Sequence, residues 1–159
     1  MTYNLTYFGI HKWWINGSQI YAAIAPTRDL VIGQVGTAIS NYNIRKIELY
    51  HCNNVTCAID SELVNYNRLK VLTFHYLKWD GTKNVAGPST NISGNISALG
   101  NKYDLEFIQI VRYSTIYGEV KSLKNLKKLY SLEINACNCT GCKSDLYNEG
   151  VNIVTFAIL

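Results

Sequence analysis

Two stretches of the chain, Gly94–Ile110 (GNISALGNKYDLEFIQI) and Gly118–Ile134 (GEVKSLKNLKKLYSLEI), are versions of one sentence. Gly94 aligns with Gly118, Ile96 with Val120, Leu99 with Leu123, and each stretch ends on the apolar template L-x-x-L-x-L. In these two copies the template is Leu105, Ile108, Ile110 and Leu129, Leu132, Ile134. It recurs as Ile44, Ile47, Leu49 in IRKIEL, as Leu69, Leu72, Phe74 in LKVLTF, and as Val151, Val154, Phe156 in VNIVTF. The copies thus start at Ile44, Leu69, Leu105, Leu129 and Val151, and a weaker copy, Ile20, Ala23, Ala25, precedes them. A looser version of the longer sentence runs from Gly33 through Val35 to Leu49.

The template has a direct physical reading. Alternate residues of a strand face opposite sides, so positions 4 and 6 point into a core and position 1 closes it from the side. The glycine stands at a fixed distance before the next template start, Gly94 before Leu105 and Gly118 before Leu129. It permits a tight turn, and the β-branched residue and leucine after it line the far side of that core. One such unit cannot bury its own apolar face, and neighbours stacked upon it must do so. Their strands then pair in parallel at a spacing of about 4.8 Å.

In these repeats the chain resembles the leucine-rich repeat family, over roughly residues 20–159. The family's period of about 20–29 residues includes every step but the one from Leu69 to Leu105. That longer step contains GTKNVAGPSTNIS, whose Gly81, Gly87 and Pro88 mark a loop or protruding excursion. The resemblance implies an α/β solenoid: a right-handed coil with a parallel concave sheet and a mostly irregular or short-helical convex side. It implies one domain over residues 1–159, with a hairpin cap and weak first repeat over 1–32, repeats over 33–80, an inserted loop over 81–93, and repeats without a C-terminal cap over 94–159. At template position 9 the family places an inward Asn or Cys. Cys52 and Cys137 hold that position here and are expected to be buried structural residues, while Leu77 and Tyr113 interrupt the column. Cys57 stands where other copies have the turn glycine, and Cys139 and Cys142 flank Gly141 in an equivalent turn.

The concave face of such a sheet is formed by positions 3, 5 and 7. Position 3 gives Lys46, Val71, Phe107, Ser131 and Ile153; position 5 gives Glu48, Thr73, Gln109, Glu133 and Thr155; position 7 gives Tyr50, His75, Val111, Asn135 and Ala157. The face is mixed in character and apolar around Val71, Phe107 and Val111. Such patches on repeat scaffolds bind partners; the alternative is that the 81–93 loop folds over the face and covers it. A second surface is the final repeat. VNIVTFAIL carries no charged residue, and Ile153, Thr155, Phe156, Ile158 and Leu159 are expected to leave an open strand edge and core end. Self-association or a larger protein assembly would cover them. At the other end KWWINGSQIYAAI reads as a β-hairpin with an Asn16-Gly17 turn. It either caps the first repeat with wide aromatics or leaves Trp13 and Trp14 as an exposed patch or sugar platform.

Catalysis finds little support. Glu48 and Glu133 share a column, but three strand spacings, about 14 Å, separate them, and a glycosidase pair needs about 5–10 Å. The histidines, His11, His51 and His75, have no recognisable nucleophile beside them, and phosphate-binding glycine motifs are missing. C-x-C-x-x-C at 137–142 supplies three of the four ligands a zinc site needs. The expectation is a non-enzyme with no metal and no cofactor. A net charge of +4, concentrated in Lys121, Lys124, Lys127 and Lys128, reads as a solvated face and not as a nucleic-acid surface. No run of 18 apolar residues predicts a membrane span, and the start lacks the pattern of a secretory signal. Six N-x-S/T sequons, at Asn4, Asn16, Asn54, Asn91, Asn95 and Asn138, are expected by chance in a chain with 17 asparagines. Five cysteines are an odd number and do not suggest a disulfide framework. The abundance of Asn, Ile, Lys and Tyr points to an AT-rich genome. Together with the open final repeat and a chain that reads as short and complete, it leads to the expectation of a virion-associated structural or attachment protein, with a bacteriophage the favoured source. A cytoplasmic bacterial repeat protein that binds another protein, or a host-directed effector, is the alternative.

Overall fold

A computed structural model describes residues 12–16, 19–23, 30–31, 44–50, 55–64, 66–76, 78–79, 84–85 and 89–159. His11, Gly33, Val35, His51, Cys52, Leu77, Gly81, Gly87 and Pro88 lie outside these residues.

The chain is α/β, with two parallel sheets and few helices. The template strands form one seven-stranded sheet. In spatial order its members are β1 (Lys12–Asn16), β2 (Gln19–Ala23), β4 (Lys46–Tyr50), β6 (Val71–His75), β10 (Phe107–Val111), β12 (Ser131–Asn135) and β14 (Thr155–Ile158). From β2 onward every pairing is parallel and in register. Ile47, Leu72, Ile108 and Leu132 therefore stand in one row, each fully buried, and Leu49, Phe74, Ile110 and Ile134 in the next. Position 1 closes the core in all five repeats, through Ile44, Leu69, Leu105, Leu129 and Ile153.

The connecting segments are more ordered than a mostly irregular or short-helical side. They carry a second parallel sheet of five strands. In spatial order these are β13 (Asn138–Thr140), β11 (Ile116–Glu119), β9 (Ile92–Asn95), β5 (Val55–Ala58) and β3 (Leu30–Val31). Single helical turns follow four of them: α1 (Ile59–Glu62), two 3-10 turns at Ile96–Leu99 and Val120–Leu123, and α2 (Ser144–Tyr147). Backbone pairing across these segments satisfies groups that an irregular side would leave to water. Among the described residues no helix is long and apolar enough to cross a membrane.

The turn glycines behave as their spacing predicts. Gly94 and Gly118 hold φ of 118° and 128°. A Cβ on Gly94 would lie 2.8 Å from Asp60 Oδ1, and one on Gly118 would collide with Asn95 Oδ1 of the preceding repeat. At these two positions side chains of the preceding repeat fill the space that a Cβ would take, and the positive φ suits glycine. Cys57 pairs with Ile92 as Gly94 pairs with Ile116 and Gly118 with Cys139, so it does occupy the glycine column. Position 8 supplies a second left-handed turn, at Arg112 (φ 65°) and Ala136 (φ 51°). Their N–H groups donate to the carbonyls of Asn135 and Leu159 in the following repeat, both at 2.8 Å.

Three sequence expectations are corrected by register. The final template is Ile153, Phe156, Ile158, because Leu132 pairs with Phe156 and Ile134 with Ile158. Val154 is 72% exposed and Ile153 is in the core. The last step then runs from Leu129 to Ile153 and equals the step from Leu105 to Leu129. A slip of two keeps every side chain on the same face, so alternation alone could not distinguish the two alignments. The weak first copy is likewise displaced, since Ile20 pairs with Ile47 and Ala22 with Leu49. In the hairpin Asn16 pairs with Gln19, which leaves residues 17 and 18 between the strands in place of Asn16-Gly17. The stretch expected as a loop over 81–93 is part hairpin and part strand. β7 (Lys78–Trp79) pairs antiparallel with β8 (Asn84–Val85), and Ile92 begins β9.

One core position carries a lysine. Lys102 stands three residues before Leu105, as Leu126 stands before Leu129 and Tyr66 before Leu69. It is 1% exposed, and its Nζ donates to the carbonyl of Val64 (2.8 Å) and to Asn67 Oδ1 (3.2 Å). Burial lowers its pKa from the ordinary lysine value, because a charged amine loses hydration that two neutral acceptors only partly replace.

The register and the buried lysine can both be tested by unfolding. Phe156→Ala should lower unfolding stability by about 1–3 kcal/mol, a half-buried share of the usual core cost, while Val154→Ala changes it by less than about 0.5 kcal/mol; urea titration of both variants checks the register. Lys102→Met removes the titrating amine together with its bonds to Val64 O and Asn67 Oδ1. Because the folded-state pKa lies below the unfolded value of about 10.4, the unfolded wild type binds more protons between the two values, and wild-type stability climbs with pH across that window. The stability of wild type relative to Lys102→Met should therefore climb as pH rises from 7 toward about 10.5 in parallel denaturation curves.

Candidate functional site

The outer face of the main sheet is built by rows of residues that strand pairing sets side by side. Position 3 runs Lys46, Val71, Phe107, Ser131, Thr155, and position 5 runs Glu48, Thr73, Gln109, Glu133, Ala157. The corrected register keeps Thr155 and Ala157 on this face, moves Ile153 from it into the core, and brings Leu159 toward the position 7 row of Tyr50, His75, Val111 and Asn135.

The centre of the face is apolar, and less of it is open than the pattern suggests. Val71 and Phe107 are adjacent and half-buried, but Val111 is 5% exposed and Thr73 1%. Thr73 lies in register between the longer side chains of Glu48 and Gln109, and in-register neighbours at strand spacing shield a short residue. Phe107 packs against Tyr130, with ring centroids 6.5 Å apart and planes at 57°. Tyr50 and His75 form a similar tilted pair at 6.2 Å.

Polar contacts fix the surroundings of this patch. Gln109 Nε2 donates to Glu133 Oε2 at 2.7 Å. Lys70 Nζ meets Glu106 Oε1 at 2.7 Å, and Lys128 Nζ meets Asp104 Oδ1 at 2.5 Å. The second bond holds the Asp104 carboxyl below its ordinary pKa and the Lys128 amine above its own. Both pairs are partly exposed and contribute little to stability. Their effect is to give the apolar centre a polar flank.

Tyr130 and the Lys70–Glu106 pair are the members of the site that the sequence pattern passed over. All three hold template position 2, directly before the strands, whereas the face was read from positions 3, 5 and 7 alone. The only signal was the aromatic residue directly before Ser131 in LYSLEI. Of the excursion after β6, the end at Ser89 is fixed beside β10. Ser89 bridges to Tyr113, and its N–H bonds to Arg112 O at 2.9 Å, at the far end of β10. Glu48 and Glu133 do share a row, with Thr73 and Gln109 between them.

The cysteines divide by depth. Cys137 is half-buried, its Sγ 3.4 Å from Asn135 O and 3.8 Å from Ile110 O of the preceding repeat. Cys139 is not a turn residue. It occupies the interior column of Ile92 and Ile116, and burial together with nearby Cys137 pushes its thiol up to about 12. Burial, with the charges of Glu62 and Asp60, raises Cys57 well above the ordinary range. Cys142 is exposed, its Sγ 2.9 Å from Ser144 Oγ. All four are free thiols. Among the described residues no group of three or more His, Cys, Asp or Glu is placed to hold a metal ion.

Thiolate, not thiol, attacks alkylating reagents. Iodoacetamide at pH 8 should therefore modify Cys142 in the folded protein while Cys57 and Cys139 react only after unfolding in guanidinium, as read by peptide mass spectrometry. No family model matches the chain, and no curated protein is similar to it.

Proposed function

We propose that the chain is a leucine-rich-repeat-like solenoid with an N-terminal hairpin cap, and that it works as a non-enzymatic scaffold for binding another protein. The observation that carries this reading is the Val71–Phe107 pair, with Tyr130 packed on Phe107. It is an apolar aromatic centre, half open, on the outer face of a rigid parallel sheet. Ion-paired charges flank it through Lys70–Glu106. Protein interfaces favour this arrangement, in which an aromatic anchor is desolvated at the centre and a polar rim excludes water around it. A rigid sheet adds little ordering cost on association. The partner surface is a protrusion bearing an apolar side chain that fits beside Phe107, with hydrogen-bonding groups for Gln109 and Glu133. The setting we propose is a larger assembly such as a virus particle.

The test is site-specific crosslinking. A photoreactive phenylalanine analogue placed at 107 should give a discrete adduct in extracts of the native source. Unlabelled wild type should compete with it and Phe107→Glu should not. The same analogue at Lys121, which lies in a helical turn away from this face, should give none. Equal adducts at both positions, or none at 107, would remove the outer face as the binding surface.

A further inference from the structure

Charge on the main sheet gathers at one end of its strands. In the repeats that start at Ile44, Leu69, Leu105 and Leu129, the stretch from the residue before the template to its position 3 holds Arg45, Lys46, Arg68, Lys70 and Lys128. Only two carboxylates, Asp104 and Glu106, stand among them. The whole chain has a net charge of +4, so most of its excess lies along this rim. At the opposite strand ends, template positions 7 and 8 of the same repeats carry Arg112 as the only Lys, Arg, Asp or Glu among the described residues. Backbone bonds fix the rim as a row. The Lys70 N–H donates to Arg45 O at 2.7 Å, the Glu106 N–H to Lys70 O at 2.8 Å and the Tyr130 N–H to Glu106 O at 3.0 Å.

Neutralisation along this row is uneven. Glu106 is paired with Lys70, and Asp104 with Lys128. Neither pair includes Arg45, Lys46 or Arg68, and all three are exposed. Arg45 acts on Asp104 only from a distance: the hydrogen bond from Lys128 is the main cause of that carboxyl's lowered pKa, and the charge of Arg45 is the smallest. Glu48, further along β4 at position 5, has an interaction of its own. The uncompensated cations therefore lie on the β4 and β6 side of the rim. That side adjoins the half-open apolar pair, because Lys46 is in register with Val71, and Val71 with Phe107.

We infer that the partner segment docking on the outer face is acidic, with a carboxylate about three residues from the apolar side chain that seats beside Phe107. This rests on the outer-face reading above and adds the chemistry of what binds there. The spacing comes from the sheet. Lys46 and Phe107 are separated by two strand spacings, about 10 Å, and an extended segment crossing the strands advances about 3.3 Å per residue. Guanidinium groups grip carboxylates through two parallel hydrogen bonds, which suits Arg45 and Arg68 to this role. Charges at the edge of an apolar anchor set orientation and association rate more than affinity. A nucleic acid fits less well. Its backbone is charged at every step, and a track along the rim would meet Asp104 and Glu106 beyond β6.

Fluorescence anisotropy with synthetic peptides tests this without the native partner. The probes are labelled peptides of about twelve residues, one Phe in a Gly/Ser background with Glu at the third and fourth positions from it. Matched peptides carry Lys in place of Glu or Ser in place of Phe, and a dT oligonucleotide is the nucleic-acid probe. The Glu peptide should bind with a dissociation constant of roughly 10–100 μM, at least about tenfold tighter than the Lys peptide. Raising the salt from about 50 to 500 mM should weaken it several-fold. Arg45→Glu with Arg68→Glu should weaken it by more than about tenfold, and Arg45→Gln with Arg68→Gln by about threefold if circular dichroism shows the first variant to be misfolded. The same charge change at Lys121→Glu with Lys143→Glu should cost less than about twofold. Equal affinity for the Glu and Lys peptides overturns the inference. So does no binding of the Glu peptide up to about 1 mM, tolerance of the Arg45 and Arg68 changes, or tighter binding of the oligonucleotide. The outer-face reading is judged apart from this, by the adduct at 107: an adduct whose contact segment carries no Asp or Glu sinks the acidic partner and leaves the outer face standing.

Discussion

In-register parallel pairing turns scattered apolar residues into continuous rows, and every other feature of the molecule answers to it. Ile47, Leu72, Ile108 and Leu132 come from four separate repeats, yet they form one line of fully buried side chains. Each is covered by its neighbours in the row and by the second sheet. Burial of this kind is additive along the stack, so a repeat inside it is complete and a repeat at its end is not. Leu132 and Phe156 make the contrast: they hold the same template position, and Leu132, between Ile108 and Phe156, is fully buried while Phe156, with no described strand beyond it, is only partly buried.

The same pairing explains where glycine and lysine stand. At the turn column the side chains of Asn95 and Ile96 fill the space that a Cβ on Gly118 would need. Lys102, by contrast, sits in an apolar column and directs its amine to the turn of the preceding repeat, through Val64 O and Asn67. A leucine there would pack as Leu126 does but could not satisfy that carbonyl. The repeat that follows the long excursion thus joins its predecessor by a polar contact where the next joint uses an apolar one.

The outer face shows how strand register makes a surface from residues that are remote in sequence. Val71 and Phe107 belong to different repeats, with the long excursion between them in the chain, and stand next to each other in the sheet. Pairing also sets which of the face residues remain open. Thr73 and Val111 are closed off, while Phe107 is held by Tyr130 and remains half-exposed. Gln109 and Glu133 bind each other, so the polar part of the face is held in one arrangement.

Read alone, the chain reveals the repeat, the inward positions 1, 4 and 6, the need for parallel stacking, and the turn glycines. All of these follow from the two-residue period of a strand and the steric limits of a tight turn, which act locally. It also puts Phe107, Gln109 and Glu133 on one face. What it leaves open is everything that depends on which residue lies beside which. VNIVTFAIL fits the template from Val151 and from Ile153, and both alignments keep the same parity; only the pairing of β14 with β12 chooses between them. The second sheet was invisible because its strands are short and carry no alternation strong enough to read. Cys139 looked like a turn residue beside Gly141, and it became a core residue only when the register set it in the column of Ile92 and Ile116. The folded arrangement settles these points because a side chain's burial is fixed by its neighbours across strands, and those neighbours lie a full repeat away in the chain.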